Sequence, residues 1–192
     1  KKLIPLNKHG IKMISIGFIA AQDQALIWRG PMVQTAFFQL VRDVAWEEKG
    51  EPLDYLVIDL PPGTGDVQLT MAQRLRVDGA VIVSTPQDIA LIDARRAVSM
   101  FNKTGVRVLG LVENMSSYIC TNCGHEEHIF GEHGARDEAK KMGVNFLGEI
   151  PLSKDVRAQA DAGTPIVLAE PQSVGAQAFM SIADNIYKHA RK

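Results

Sequence analysis

The chain is poor in cysteine, in long apolar runs and in excess charge of either sign. Two cysteines in 192 residues cannot form the disulfide framework of a secreted protein, so we expect a reducing, cytoplasmic environment. Apolar runs such as Met13–Ala21 are far shorter than the roughly 20 residues that span a bilayer, which argues against a membrane partner. The 21 Lys and Arg residues balance 22 Asp and Glu residues at a net charge of −1, so we expect no nucleic-acid partner.

Short apolar runs alternate with amphipathic stretches along the chain, and this alternation predicts repeated βαβ units. We expect residues 1–192 to form one three-layer α/β domain, with a mostly parallel sheet and helices on both faces. Ligands of such sheets bind beyond the carboxyl ends of the strands, so functional residues are expected there. The predicted strands are Lys12–Phe18, Tyr55–Leu60, Ala80–Ser84, Val106–Leu111 and Asn145–Ile150.

Polar caps and glycines mark the ends of the predicted helices. Asp66 and Asp88 are the expected N-caps of two helices, and Ser173 is the expected N-cap of the last one. Gly105 and Gly143 follow two amphipathic stretches and are expected to end their helices. These caps place the helices between the predicted strands, as a βαβ arrangement requires.

The predicted strand Tyr55–Leu60 carries a carboxylate at Asp59, and a turn rich in proline and glycine follows it. The turn reads Pro61-Pro62-Gly63-Thr64-Gly65-Asp66. In a Walker B pattern, an acid at a strand tip holds Mg²⁺ or its water, and the amide of a following glycine, here Gly63, reaches a nucleotide γ-phosphate. The alternative is an aspartate that satisfies a local cap, with a turn of no chemical meaning.

Asn114 follows the predicted strand Val106–Leu111 at a second strand end. Its side-chain amide offers both a donor and an acceptor to the edge of a base, which suits adenine. An asparagine just after a strand is also a common turn former. Asn114 alone therefore indicates a nucleotide site only weakly.

The two cysteines, Cys120 and Cys123, form one Cys-x-x-Cys unit within the loop 117–130. Two thiolates are half of a metal site. Zinc could be completed within the chain by His125 and His128, or a [4Fe–4S] cluster could take four thiolates from two copies of the chain across a two-fold axis. A thiol–disulfide redox pair and a pair of unliganded cysteines are the remaining interpretations.

Four strings of this sequence together closely resemble the Mrp-type iron–sulfur cluster carrier proteins. That family belongs to the deviant-Walker P-loop ATPases, which also include MinD and the nitrogenase iron protein. The resemblance implies a P-loop NTPase-like domain that binds and hydrolyses ATP with Mg²⁺ and forms a homodimer. It also implies a [4Fe–4S] cluster that is held between paired Cys-x-x-Cys motifs and passed to apo iron–sulfur proteins. The four strings are Asp59–Asp66, Ser84–Asp88, Val112–Ser116 and Cys120–Cys123.

The resemblance also implies a role for each matching residue. Asp59 is expected to be the Walker B acid of the Mg²⁺ shell, Gly63 a γ-phosphate sensor and Asn114 the adenine reader. Cys120 and Cys123 are expected to be the cluster ligands. His125 and His128 are not ligands in the family, so the resemblance favours a cluster that bridges two chains over a one-chain zinc site.

The turn Pro151-Leu152-Ser153 is expected from the same resemblance to border the adenine. Ser153 departs from the aspartate often found at that place in the family. Pro151 is therefore the residue of this turn that is expected to contact the adenine.

The phosphate-binding loop of the family is the part of the resemblance that the sequence lacks. No Gly-x-x-x-x-Gly-Lys-Ser/Thr string occurs in the 192 residues. We expect that an N-terminal strand and phosphate loop belong to the full protein but not to these 192 residues. ATPase activity is then expected of the full protein, in the cytoplasm or in a mitochondrial matrix. The competing hypothesis is a zinc-stabilised binding or scaffold module whose nucleotide crevice is silent.

Overall fold

The computed structural model describes residues 2–18, 30–47, 50, 52–61 and 65–190 of the chain. Contacts divide the chain into two compact units, Lys1–Met71 and Ala72–Lys192, and each is described by itself. No helix among the described residues is long and apolar enough to cross a membrane.

Six strands are formed by the described residues, and most of them are short. The strands are β1 (Leu6–Lys8), β2 (Ile11–Met13), β3 (Ala80–Ser84), β4 (Val108–Ile119), β5 (Glu126–Glu127) and β6 (Phe146–Leu152).

Seven α-helices lie in the same part of the chain. The helices are α1 (Gly30–Arg42), α2 (Asp66–Arg74), α3 (Asp88–Thr104), α4 (Gly134–Met142), α5 (Lys154–Asp161), α6 (Ile166–Ala169) and α7 (Val174–Ala190).

The sheet of the second unit confirms the predicted α/β class with a mostly parallel sheet. Strand β4 pairs in parallel with both β3 and β6, and antiparallel with the short β5. Neighbouring strand residues point to opposite faces of a sheet. On one face Val112 packs in a buried cluster with Ile182 of α7, and on the other the carboxylate of Glu113 accepts a hydrogen bond from Ala135 of α4. Helices therefore cover both faces, as predicted.

Two of the predicted strands in the first unit are wrong. In place of a strand over Lys12–Phe18, Ile11–Met13 pairs antiparallel with Leu6–Lys8, and Ile16–Phe18 forms a 3₁₀ turn. Residues 52–61, which include the predicted strand Tyr55–Leu60, form no strand. Val57 is 90% exposed, so this apolar segment lacks the burial on both faces that stabilises an internal parallel strand.

The predicted helix ends are mostly confirmed. Gly105 and Gly143 both adopt the left-handed conformation after their helices, with φ of 73° and 67°. The hydroxyl of Ser173 accepts a hydrogen bond from the backbone N–H of Ala176 at 3.2 Å and so caps α7. The prediction for Asp88 is wrong, because Gln87 occupies the N-cap position and Asp88 is the first residue of α3.

Helix α2 begins at Asp66 itself, so Asp66 is a helical residue and not the predicted N-cap.

Candidate functional site

Cys120 and Cys123 lie at the tip of a β-hairpin. Strand β4 leads into Cys120, and β5 returns beside it with Ile119 opposite Glu126. The turn is closed by two backbone hydrogen bonds, from the N–H of Cys120 to the carbonyl of His125 at 2.9 Å and from the N–H of Gly124 to the carbonyl of Cys120 at 2.8 Å. Gly124 supplies the left-handed conformation, with φ of 73°, that lets the chain turn this tightly.

The hairpin tip favours the ionised form of the first thiol. Hydrogen bonds from the backbone of Asn122, the backbone of Cys123 and the thiol of Cys123 lower the pKa of Cys120, while partial burial opposes them. The thiolate is the form that binds metals and attacks electrophiles. Cys120 is half-buried, and Cys123 is exposed. The tip therefore presents two adjacent sulfur ligands towards the outside of the unit.

The two histidines of the loop do not complete a metal site with the thiols. The Nδ1 of His128 lies 2.9 Å from the backbone carbonyl of Ser116, at the base of the hairpin. This hydrogen bond is the main cause of the raised pKa of His128. Among the described residues, no group of three or more possible metal ligands includes Cys120 or Cys123. In the part of the chain that the structure describes, the two thiols therefore have no third metal-ligand side chain close to both of them.

Asn114 and Pro151 are brought together by the pairing of β4 with β6. Asn114 lies opposite Ile150, and the pairing is then interrupted as far as Tyr118 and Leu152. The prediction that Asn114 follows a strand is wrong, because β4 continues to Ile119. Asn114 instead lies at an irregularity, where its Oδ1 accepts a hydrogen bond from the backbone N–H of Met115 at 3.0 Å.

The backbone next to Asn114 uses the oxygen of its side-chain amide. Met115 adopts a left-handed conformation with φ of 57°, which is unusual for a residue other than glycine. Within the described part of the chain, the Nδ2 of Asn114 has no hydrogen-bond partner. Asn114 is half-buried, and its Nδ2 can donate to a planar acceptor.

Asp59 lies in the first unit, in the irregular segment 52–61, and its side chain is exposed. Gln68 of α2 holds the end of this segment, since its Nε2 donates to the carbonyl of Pro61 at 2.6 Å. Gly63, the predicted γ-phosphate sensor, lies outside the described residues. Asp59 and Gly63 belong to one unit, whereas Asn114, Pro151 and the two cysteines belong to the other.

Comparison with known proteins identifies the family. A family model described as "ParA: NUBPL iron-transfer P-loop NTPase" matches residues 1–187. The chain belongs to this family. It is 49% identical over 183 residues to an iron–sulfur cluster carrier protein of Pseudomonas fragi, covering 95% of this chain and 62% of that protein. It is 50% identical over 187 residues to the iron–sulfur cluster transfer protein NUBPL of Dictyostelium discoideum, covering 97% of this chain and 57% of that protein.

A solved structure shares the fold of this NUBPL-family chain. It is a nucleotide-binding protein of Archaeoglobus fulgidus in complex with ADP, 37% identical, with a TM-score of 0.70. The match covers 90% of this chain and 64% of that one. The chain thus spans about half to two thirds of the length of the relatives it matches.

The roles of three residues near the candidate site were not predicted from the sequence. Gln68 is buried and anchors the segment that carries Asp59, but a single glutamine in an amphipathic helix gives no signal for such a contact. Ser153 caps α5, with its hydroxyl accepting from the backbone N–H of Asp155 at 3.2 Å. Glu113 is a buried carboxylate in a strand, and its charge within an apolar run is a signal that was available.

Proposed function

We propose that this chain is the cluster-holding part of an iron–sulfur cluster carrier. The observation that carries the proposal is the hairpin tip, where Cys120 and Cys123 present two sulfur ligands without a further ligand group among the described residues. A [4Fe–4S] cluster takes four thiolates, so two chains related by a two-fold axis would supply them. The names of the relatives, cluster carrier and cluster transfer protein, support this assignment.

The cluster is cargo in this proposal, delivered to apo iron–sulfur proteins. The hairpin suits delivery because Cys123 is exposed and Cys120 is only half-buried. An acceptor thiolate could therefore approach the irons and displace the carrier thiolates one at a time. A reducing compartment, either cytoplasm or mitochondrial matrix, would keep the two thiols from forming a disulfide.

The nucleotide part of the proposal rests on Asn114 and Asp59. The Nδ2 of Asn114, which has no hydrogen-bond partner among the described residues, is suited to read an adenine ring, with Pro151 proposed to border it. The exposed carboxylate of Asp59 is suited to hold Mg²⁺ or its water, and Gly63 is the proposed γ-phosphate sensor. ATP, once bound, would supply the binding and hydrolysis energy that changes how tightly the two chains hold the cluster.

Cluster transfer from single-cysteine variants tests the proposal. The chain is reconstituted anaerobically with iron and sulfide, and transfer to an apo-ferredoxin is followed by the acceptor's absorbance and activity. Cys120→Ser and Cys123→Ser should each lose most of the bound cluster and of the transfer, because each removes two of the four thiolates of a shared cluster.

The matched control is His125→Ala, which alters the same loop but leaves both thiols. It should bind and transfer the cluster as the parent chain does. If a Cys123→Ser chain retains a full cluster, the proposed ligand set is wrong. If His125→Ala instead abolishes metal binding, and the parent chain holds one zinc ion, a one-chain zinc site replaces the proposal.

A further inference from the structure

Glu113 is a buried carboxyl group that forms no ion pair with a side chain of the described residues. It is 1% exposed, within the central strand β4. Its Oε2 accepts a hydrogen bond from the backbone N–H of Ala135 at 2.7 Å. No lysine or arginine within the described ranges forms an ion pair with it. A buried carboxyl group without an ion-pair partner is a candidate ligand for a cation.

Two further metal-ligand side chains converge on Glu113. Glu149 of β6 is its register partner across the parallel pairing, and His133 immediately precedes α4. One ligand atom from each of the three side chains lies within 4.8 Å of the other two. Glu149 and His133 are exposed enough to reorient, so a modest rotation would bring the three atoms to the shorter separations of a metal's coordination shell.

The charges around this group are negative on balance. Glu132 adds a third carboxylate, with its Oε1 at 3.4 Å from the Nε2 of His133. One guanidinium opposes them, since the Nη2 of Arg136 lies 3.1 Å from the Oε2 of Glu149. Arg136 occupies only one oxygen of Glu149, which leaves the other oxygen for a metal ion. The local field therefore favours a divalent cation.

Solvent reaches two members of the group directly, because His133 and Glu149 are exposed. A metal site needs a path by which the ion can enter as well as its ligands, and this exposed side supplies one. Water on the same side would fill the coordination positions that three protein ligands leave open.

We propose that Glu113, His133 and Glu149 form a mononuclear site for a divalent transition-metal ion, separate from the cysteine pair. Two carboxylate oxygens and one imidazole nitrogen suit ions such as Zn²⁺ or Fe²⁺, with water completing the shell. Glu113 precedes Cys120 by seven residues along the chain, a distance of up to about 23 Å in an extended strand. The thiols therefore do not belong to this site, and it does not depend on the proposed cluster function.

Cobalt titration of a cysteine-free chain tests the site. The Cys120→Ser/Cys123→Ser chain removes both thiols, and Co²⁺ serves as the probe because its visible bands report the geometry and its charge-transfer bands report sulfur ligands. We expect about one Co²⁺ per chain, with visible absorption bands whose intensity reports the coordination geometry. Failure of this chain to bind Co²⁺ above the level of free buffer would overturn the proposal.

His133→Gly in the same background removes the imidazole without threatening the fold. His133 has a φ of 59°, a conformation that glycine adopts more readily. We expect at least about tenfold weaker Co²⁺ binding, and a similar loss in Glu113→Gln. His9→Gly is the matched control, since His9 is an exposed histidine with a φ of 54°, and it should bind as the parent does.

Unchanged Co²⁺ affinity in His133→Gly would contradict the proposal. So would an equal loss in His9→Gly, which would indicate binding to exposed histidines in general. Circular dichroism and thermal unfolding verify the fold of each variant. If Glu113→Gln does not fold, His133→Gly alone decides the outcome.

Discussion

At the scale of single residues, Glu138 shows how the second unit accommodates a buried charge with counter-charges present. Its carboxylate is 6% exposed and pairs with Arg95 at 3.0 Å and with Lys141 at 2.9 Å. These contacts join α3 to α4 and brace the helix that follows His133. Hydrogen bonds from Lys141 and then Arg95 lower the pKa of Glu138, against the opposing effect of burial. Glu113 of β4 lacks such ion-pair partners among the described residues.

Glu138→Gln should destabilise the chain at neutral pH and much less at acid pH. Because the folded-state pKa is lowered, the stabilisation is present above the ordinary pKa of glutamate, about 4.3, and is lost as the pH falls through the folded-state value. We expect a loss of about 1–2 kcal/mol at pH 7, since the variant loses hydrogen bonds between charged groups. Thermal or urea unfolding at pH 7 and at about pH 2.5, below the folded-state value, measures the difference.

Asp93→Asn is the control for this prediction. Asp93 pairs with Arg96 at 2.9 Å, but both side chains are about two thirds exposed. An exposed pair contributes less than about 0.5 kcal/mol, so this variant should unfold nearly as the parent does at both pH values. A destabilisation by Glu138→Gln that is equally large at about pH 2.5 would mean that lost packing, and not lost charge pairing, is responsible.

At the scale of elements, the sequence predicts what local chemistry determines. Strand Ala80–Ser84 has the predicted bounds, and the glycines that end α3 and α4 act as expected, because both depend on residues close in the chain. The segment Tyr55–Leu60 was predicted wrongly, because a strand that is apolar on both faces forms only where other elements cover it. The segment is apolar, as a buried strand would be, but Val57 is exposed in the described fold.

The candidate site divides in the same way. The Cys-x-x-Cys turn was predictable, because two cysteines and Gly124 lie within five residues and local hydrogen bonds shape the turn. The convergence of Glu113, His133 and Glu149 was not predictable, because it depends on strand register and on the docking of α4. Asn114 was identified by residue type, but its place inside β4 depends on how far the pairing with β5 extends the strand.

Ser153→Ala should weaken α5 and the strand end that carries Pro151. The hydroxyl of Ser153 accepts from the backbone N–H groups of Asp155 and Val156, at 3.2 and 3.4 Å. Loss of such an N-cap costs about 0.5–2 kcal/mol, and denaturant unfolding should detect it. Ser153→Asp should keep most of the stability, because aspartate is an equally good N-cap.

The matched control for the cap is Ser99→Ala. Ser99 is exposed in the interior of α3, where alanine has the higher helix propensity, so this variant should be as stable as the parent or slightly more stable. Equal destabilisation by Ser153→Ala and Ser99→Ala would show that the Ser153 hydroxyl does not act as a cap.

At the scale of the whole molecule, one chain carries two different proposed ligand sets, one for a nucleotide and one for an iron–sulfur cluster. Asp59 belongs to the first unit, and the cysteine pair and Asn114 belong to the second. Each chain offers two thiols, which is half of the thiolate set of a [4Fe–4S] cluster. The central claim is therefore one about stoichiometry, because a shared cluster requires that two chains bind one cluster.

The iron and sulfide content of the reconstituted protein, measured together with its native mass, tests this claim most directly. We expect a brown dimer with about four irons and four sulfides per two chains. When Cys120 and Cys123 are both replaced by serine, we expect colourless monomers. A colourless monomer that holds one zinc ion, or a cluster that stays bound to a single chain, would contradict it.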